Sequence, residues 1–165
     1  MKTSTIEVID PDEINLETLA ALINQANIEC GIDTESEEIY ILNSFDYSVY
    51  LQVKQEPRVI CVACYLGVKR DSSPSDLAMF VKRLNDTDDH LHCNFGFNKS
   101  DKDGRVQIGG FAIYSYFYGL HLESLLYLIQ KLTDEFIDGC FKDVDGTFVV
   151  YHEEDGGIVN LNNAD

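Results

Sequence analysis

The apolar pattern of this chain predicts an α+β fold: an antiparallel five-stranded sheet, made of a three-stranded meander plus a hairpin, with elements in the order α-β-β-β-α-β-β-α. Three observations carry the expectation. Apolar residues alternate with period two between about Glu38 and Val68 and again between Leu91 and Tyr118, which is the spacing of strands. Turn residues, not helices, separate the runs within each group, so neighbouring strands pair antiparallel. Three further stretches place apolar residues at helical spacing.

In chain order, Asp10-Pro11-Asp12-Glu13 opens the first helix, with Asp10 as cap, Pro11 at the first helical position and two acids at the positive end of the dipole. Ile14, Leu16, Leu19, Ala20, Ile23, Ala26 and Asn27 follow at helical spacing, and Gly31 ends the helix in a left-handed conformation. The meander follows as Glu38 to Leu42, Phe45 to Lys54 and Arg58 to Val68, divided at Asn43-Ser44 and Glu56-Pro57. In the second strand Tyr47, Val49, Leu51 and Val53 share one face, while Ser48, Tyr50, Gln52 and Lys54 share a wetter one. The third strand is apolar on both faces. Ser73-Pro74-Ser75-Asp76 starts a short helix with Leu77, Phe80, Val81 and Leu84 as its stripe and Asn85 as its left-handed exit. A hairpin closed by Asp103-Gly104 comes next, its outgoing strand apolar on both faces as far as Tyr118. The longest helix runs from about His121 to Phe141, and Thr147 to Tyr151 reads as a further strand or docked extension. One domain spans residues 1–146, with an acidic extension over 147–165.

A chain of 165 residues with 45% hydrophobic content buries a core without staples. Five cysteines, odd in number and set in apolar segments, read as reduced core thiols and predict the cytoplasm. No apolar run reaches membrane-spanning length, and the first residues turn acidic where a signal peptide is apolar. Net charge is −17, with 12 acidic and 2 basic groups in residues 1–56, 5 and 6 in 57–100, and 12 and 4 in 101–165. Such a field repels phosphate backbones and anionic membranes, so neither nucleic acid nor membrane is an expected partner.

No spacing of residues names a reaction, and no catalytic residue, cofactor or metal site is expected. Cys61 and Cys64 have CxxC spacing, but residues three apart on a strand face opposite ways, so their sulfurs cannot share a metal. His90 and His92 share a strand face near Asp88, which makes a metal-dependent enzyme the least favoured alternative. Neither Gly104 nor Gly146 sits in a loop with acids at the first and last calcium-ligand positions. Gly109-Gly110 lacks the helix start of a phosphate cradle and reads as a bulge or a close backbone approach. Tyr114, Tyr116 and Tyr118 alternate on one face and suit a protein contact surface, as do Leu77, Phe80 and Val81 of the short helix.

The element order, together with Leu84-Asn85, the hairpin through Asp103-Gly104 and Gly119-Leu120 leading into Leu122-Glu123-Ser124-Leu125, resembles the YbjN family over roughly residues 12 to 142. That family is similar in fold to the type III secretion chaperones. The resemblance implies a non-enzymatic domain that pairs with itself and, in the secretion chaperones, holds an extended segment of another protein; YbjN-type proteins are associated with regulation of sensory transduction. The sequence therefore predicts a homodimeric, chaperone-like or regulatory adaptor for a protein or peptide client. A domain sensing a small molecule in the sheet concavity is the alternative. More apolar strand surface is present than two long helices can cover, which leaves a second face for the short helix, another subunit or a bound segment.

Overall fold

The computed structural model describes residues 8–42, 48–68, 72–99 and 106–141; the expected turn at Asp103-Gly104, the expected strand Thr147 to Tyr151 and the acidic extension lie outside them. The fold is α+β, and its main sheet has six strands instead of five. Strand β1 is Val8–Ile9, helix α1 is Leu16–Gln25, and strands β2 to β5 are Cys30–Asp33, Glu38–Leu42, Ser48–Lys54 and Val59–Gly67. After helix α2 (Pro74–Asn85) come β6 (Asn94–Lys99), β7 (Val106–Ser115), β8 (Leu120–His121) and helix α3 (Leu122–Phe141). The main sheet runs β2-β3-β4-β5-β7-β6, antiparallel throughout, and β1 pairs with β8 in a separate ribbon.

The additional strand arises where the first helix was expected to continue. Asn27, at φ 62°, supplies the left-handed exit one turn earlier than Gly31 would, and Gly31 is thereby free to pair with Tyr40 inside β2. That helix also starts later than Asp10 suggested. The Asp10 carboxylate accepts the Asp12 N–H at 2.9 Å and caps only a 3-10 turn, Pro11–Glu13. Ile14 then drops into the core, and Asn15 caps α1 by accepting the Thr18 N–H at 2.8 Å. The cap of α2 is the expected one, Ser73 with Pro74 at the first position. Asn85, expected at a left-handed exit, stays helical.

Period-two alternation divides the sheet into two faces. Ile60, Val62, Cys64 and Leu66 of β5 are buried, and the register sets Val49 and Leu51 of β4 and Ile108, Gly110 and Ala112 of β7 beside them. Leu19 and Ile23 of α1, Leu125, Leu132 and Phe136 of α3, and Leu77, Phe80, Val81 and Leu84 of α2 complete the same core. The short helix thus belongs to the covered face. Close packing is visible at Gly110, where an added β-carbon would collide with Phe136 and Cys93, so of the two expected accounts of the Gly109-Gly110 pair, close approach holds, within regular strand pairing.

The run expected to continue as strand to Tyr118 stops at Ser115. Tyr116 turns inward and is fully buried; its N–H donates to the Arg58 carbonyl at 3.1 Å and its hydroxyl to the Lys54 carbonyl at 2.9 Å. The turn after β7 is tied to the β4–β5 turn by that one residue. Tyr116→Phe keeps the ring and loses the hydroxyl bond, so urea unfolding should show a loss of about 1 kcal/mol, whereas Tyr116→Ala, which empties the site, should cost about 3–5 kcal/mol.

Candidate functional site

The second face of the sheet carries side chains that no described helix covers. Val59, Cys61, Ala63 and Tyr65 of β5 point there, all partly exposed, flanked by Tyr50, Gln52 and Lys54 of β4, Glu38 and Tyr40 of β3, and Phe111 and Ile113 of β7. Four aromatic rings form a row across it. Tyr40 stands opposite Tyr50 in register, Tyr50 lies 6.0 Å from Tyr65 at 50°, and Tyr65 lies 5.6 Å from Phe111 at 75°. At both ends a glycine makes room: a β-carbon on Gly31 would overlap the Tyr40 phenol, and one on Gly109 would overlap the Phe111 ring. The end rings therefore lie down over the backbone instead of standing off it.

An exposed corner adjoins this face. Ile113 is 69% exposed, and in the turn after β7 Phe117 is 61% and Tyr118 92% exposed, their rings packed edge to face at 5.2 Å. Phe117 also lines an open cleft of about 550 Å³ with Gln55, Glu56, Pro57 and Arg58. Buried Tyr116 and Gly119, at φ 122°, fix the turn that presents the pair.

Both edges of the sheet are partly closed by asparagine side chains. On the outer edge of β6 the Asn85 carboxamide accepts the Phe95 N–H and donates to the Phe95 carbonyl, each at 2.8 Å, taking the place of a neighbouring strand. On the outer edge of β2 the Asn24 carboxamide accepts the Cys30 N–H at 3.3 Å.

The residues singled out from sequence are distributed unevenly. Tyr118 is on the exposed corner; Tyr116 is buried; Tyr114 is half-buried, its hydroxyl donating to the His121 carbonyl and accepting the His121 N–H, both at 3.3 Å. Tyr114 and Tyr116 both pack on the core side, and Tyr118, three residues past the strand end at Ser115, does not share their face. Leu77, Phe80 and Val81 are buried in the core. The four-ring row was missed because it assembles from separate strands, and only Tyr50 on an otherwise polar strand face hinted at it.

His90 and His92, expected on one strand face, precede β6 in a loop and turn to different carboxylates on α3. The His90 ring has Nδ1 within 3.0 Å of Thr87 Oγ1 and 3.1 Å of the Leu84 carbonyl, with Nε2 3.4 Å from Asp138. His92 Nδ1 lies 2.7 Å from Glu135, whose other oxygen accepts the N–H groups of His92 and Cys93 at 2.7 and 2.9 Å. Burial pushes the Glu135 carboxyl up, but its hydrogen bonds to the His92 side chain and to the two backbone N–H groups outweigh this and hold it below the usual glutamate range. Among the described residues no group of three His, Cys, Asp or Glu side chains is placed to hold a metal ion. Cys61 and Cys64 point to opposite faces, as expected, and none of the five cysteines is in a disulfide. Burial, followed by the Glu135 charge, pushes the Cys93 thiol up to about 12.

The crystal structure of YbjN from E. coli matches this fold with a TM-score of 0.67 at 11% identity, over 84% of this chain and 97% of that one. The fold is YbjN-like. An uncharacterized protein from Methanothermobacter thermautotrophicus matches at 0.57 and 12%, over 81% of this chain and 99% of that one. The ExsC–ExsE complex gives 0.45 and 17%, over 72% and 85%. No family model and no curated protein sequence matches the chain.

On this YbjN-like framework the loop before β6 is pinned to α3 by Glu135, and the pin has a pH signature. Because the folded pKa is lowered, its stabilisation is complete above the ordinary glutamate value and is lost as pH falls below about 4.3. Melting followed by circular dichroism should show Glu135→Gln less stable by about 2 kcal/mol at neutral pH, with a shallower decline on acidification than wild type. Equal acid limbs would contradict the assignment. Asn85→Ala should cost about 1–3 kcal/mol by leaving the Phe95 groups unpaired, and light scattering should show aggregation that wild type lacks.

Proposed function

We propose that this protein is a non-catalytic binding domain, a chaperone-like or regulatory adaptor that works as a homodimer in the cytoplasm and takes a segment of another protein on the uncovered face of its sheet. The observation that carries the reading is that face: a contiguous surface with four aromatic rings and an exposed corner at Ile113, Phe117 and Tyr118. Patches of a few hundred Å² on a monomer commonly mark interaction sites. Aromatic side chains of about 150–250 Å² each make the corner alone a sizeable part of one. YbjN, whose fold this chain shares, is described as a candidate transcription regulator, which fits an adaptor that acts by binding. Five cysteines without a disulfide suit a reducing compartment.

In the dimer the two copies meet at the corner, where the Phe117–Tyr118 pair stands beside the cleft lined by Pro57 and Arg58, so that knob and cleft are self-complementary across a two-fold axis. Light scattering at micromolar concentration should give twice the monomer mass for wild type and the monomer mass for Phe117→Ser with Tyr118→Ser. A strictly monomeric wild type would remove the dimer. For the client, a photo-reactive phenylalanine analogue at Tyr65 should cross-link to protein segments, and the same probe at Gln130, on the solvent side of α3, should not. Cross-linking from Gln130 alone would move the site elsewhere.

A second reading, a sensor of a small polar molecule, is favoured by a cavity of about 380 Å³ between α1 and the β2–β3 turn, lined by Asn15, Glu17, Ser36, Glu37 and Lys54 among others. It requires a melting shift with a polar metabolite that Glu37→Gln abolishes.

A further inference from the structure

We infer that the aromatic row is an arginine-binding surface: the protein segment it takes carries guanidinium groups that stack on Tyr40, Tyr50, Tyr65 and Phe111. The inference rests on the reading that this face binds a protein segment and adds the chemistry of that segment.

Ring geometry is the first argument. Gly31 and Gly109 let Tyr40 and Phe111 lie over the backbone, and a ring in that posture offers its π face, the side that attracts a cation, where an upright ring offers mainly its edge. Tyr50 and Tyr65, and Tyr65 and Phe111, pack against each other at 6.0 and 5.6 Å, so a planar group stacks on the faces they turn to solvent and not between them. A guanidinium is planar, weakly hydrated and stacks on aromatic faces, whereas an ammonium keeps its water and has no plane to match.

Charge is the second. The Tyr40 end of the row borders the β2–β3 turn, which carries Asp33, Glu35, Glu37 and Glu38, and Glu38 projects from the same face as Tyr40. The whole chain is at −17. Both the local and the long-range field draw a cationic segment. Nucleobases also stack on such rings, but their phosphates meet the opposite field. Lys54, which also points to this face, stands beside Glu37 and leaves that end net acidic, and it lies at the strand end away from Tyr65 and Phe111.

The third is the state of the edges. With Asn85 on Phe95 and Asn24 on Cys30, a segment cannot extend the sheet freely by main-chain pairing at those positions. Its affinity must come from side chains laid across the face. A second copy does not supply them, since the chain has four arginines, Arg58, Arg70, Arg83 and Arg105, no two closer than twelve residues, and Arg58 is paired with Asp12.

The test is isothermal titration of the full chain with three synthetic peptides identical except for alternate positions occupied by arginine, lysine or citrulline, at low and high salt. The arginine peptide should bind, with lysine weaker by roughly tenfold and citrulline without measurable binding. Tyr50→Leu with Tyr65→Leu should abolish the preference for arginine over lysine, and Met79→Ser, exposed on α2 at the opposite side of the sheet, should leave it intact. Tyr40→Ser, at the outer end of the row, serves as the second variant where the circular dichroism of the double variant departs from wild type, and should weaken arginine binding selectively. Equal affinity for arginine and lysine peptides, or an arginine preference indifferent to the tyrosines, would overturn the inference, as would preferential binding of a single-stranded oligonucleotide. Protein segments cross-linked at Tyr65 that contain no arginine would sink this inference and leave the binding role standing; no protein cross-links there would remove both.

Discussion

Nine consecutive residue pairs join β5 to β7, from Val59 opposite Ser115 to Gly67 opposite Gln107, and the rest of the molecule depends on that register. A slip of one position would send Ile60, Val62, Cys64 and Leu66 outward and bring Cys61 and Tyr65 against the helices. With the register fixed, the even-numbered side chains of β5 meet α1, α2 and α3 in one core, and the odd-numbered ones are left on the other side. All three helices are used on one face. The surplus apolar strand surface is therefore not a packing defect but a consequence of how the alternation and the helix count combine.

Much of the architecture was legible in the sequence for reasons that remain local. Both faces of Val59–Gly67 read as apolar because the residues themselves alternate between two apolar sets, and α2 announced itself through Ser73, Pro74 and a four-residue stripe. What escaped was set by distant partners. Gly31 suits a helix end and suits a strand beneath a tyrosine equally well, and only the contact with Tyr40 across the β2–β3 pair decides it. Tyr114, Tyr116 and Tyr118 alternate as a strand would, yet the strand stops at Ser115, and Tyr116 bonds the β4–β5 turn through its N–H and its hydroxyl. The aromatic row is invisible to any one-dimensional pattern, since its members come from β3, β4, β5 and β7.

Asparagine does different work at three points of this fold. Asn27 turns the chain at positive φ, Asn15 caps a helix, and Asn85 stands in for a strand against the β6 edge. The last of these bears on function. An open edge recruits partners through main-chain groups with little discrimination, and a plugged one leaves recognition to the face, where side-chain chemistry discriminates. The pin at Glu135 acts in the same direction by holding the loop before β6 and the second half of α3 together, with Phe136 stacked on Phe95 at 6.0 Å. Core thiols such as Cys93, whose protonated form burial favours, fit a role in packing. The uncovered face is thus backed by the packed core on one side and bounded by partly closed edges.

The most direct measurement of whether the second face is truly left uncovered by the chain itself is hydroxyl-radical footprinting of the dilute full-length protein, read residue by residue by mass spectrometry. Oxidation of Tyr50, Tyr65, Phe111 and Ile113 well above that of buried Leu125, Leu132 and Phe136, and its suppression when a partner is bound, is the result the account predicts. Protection of those four residues equal to that of the core in the dilute protein would contradict it.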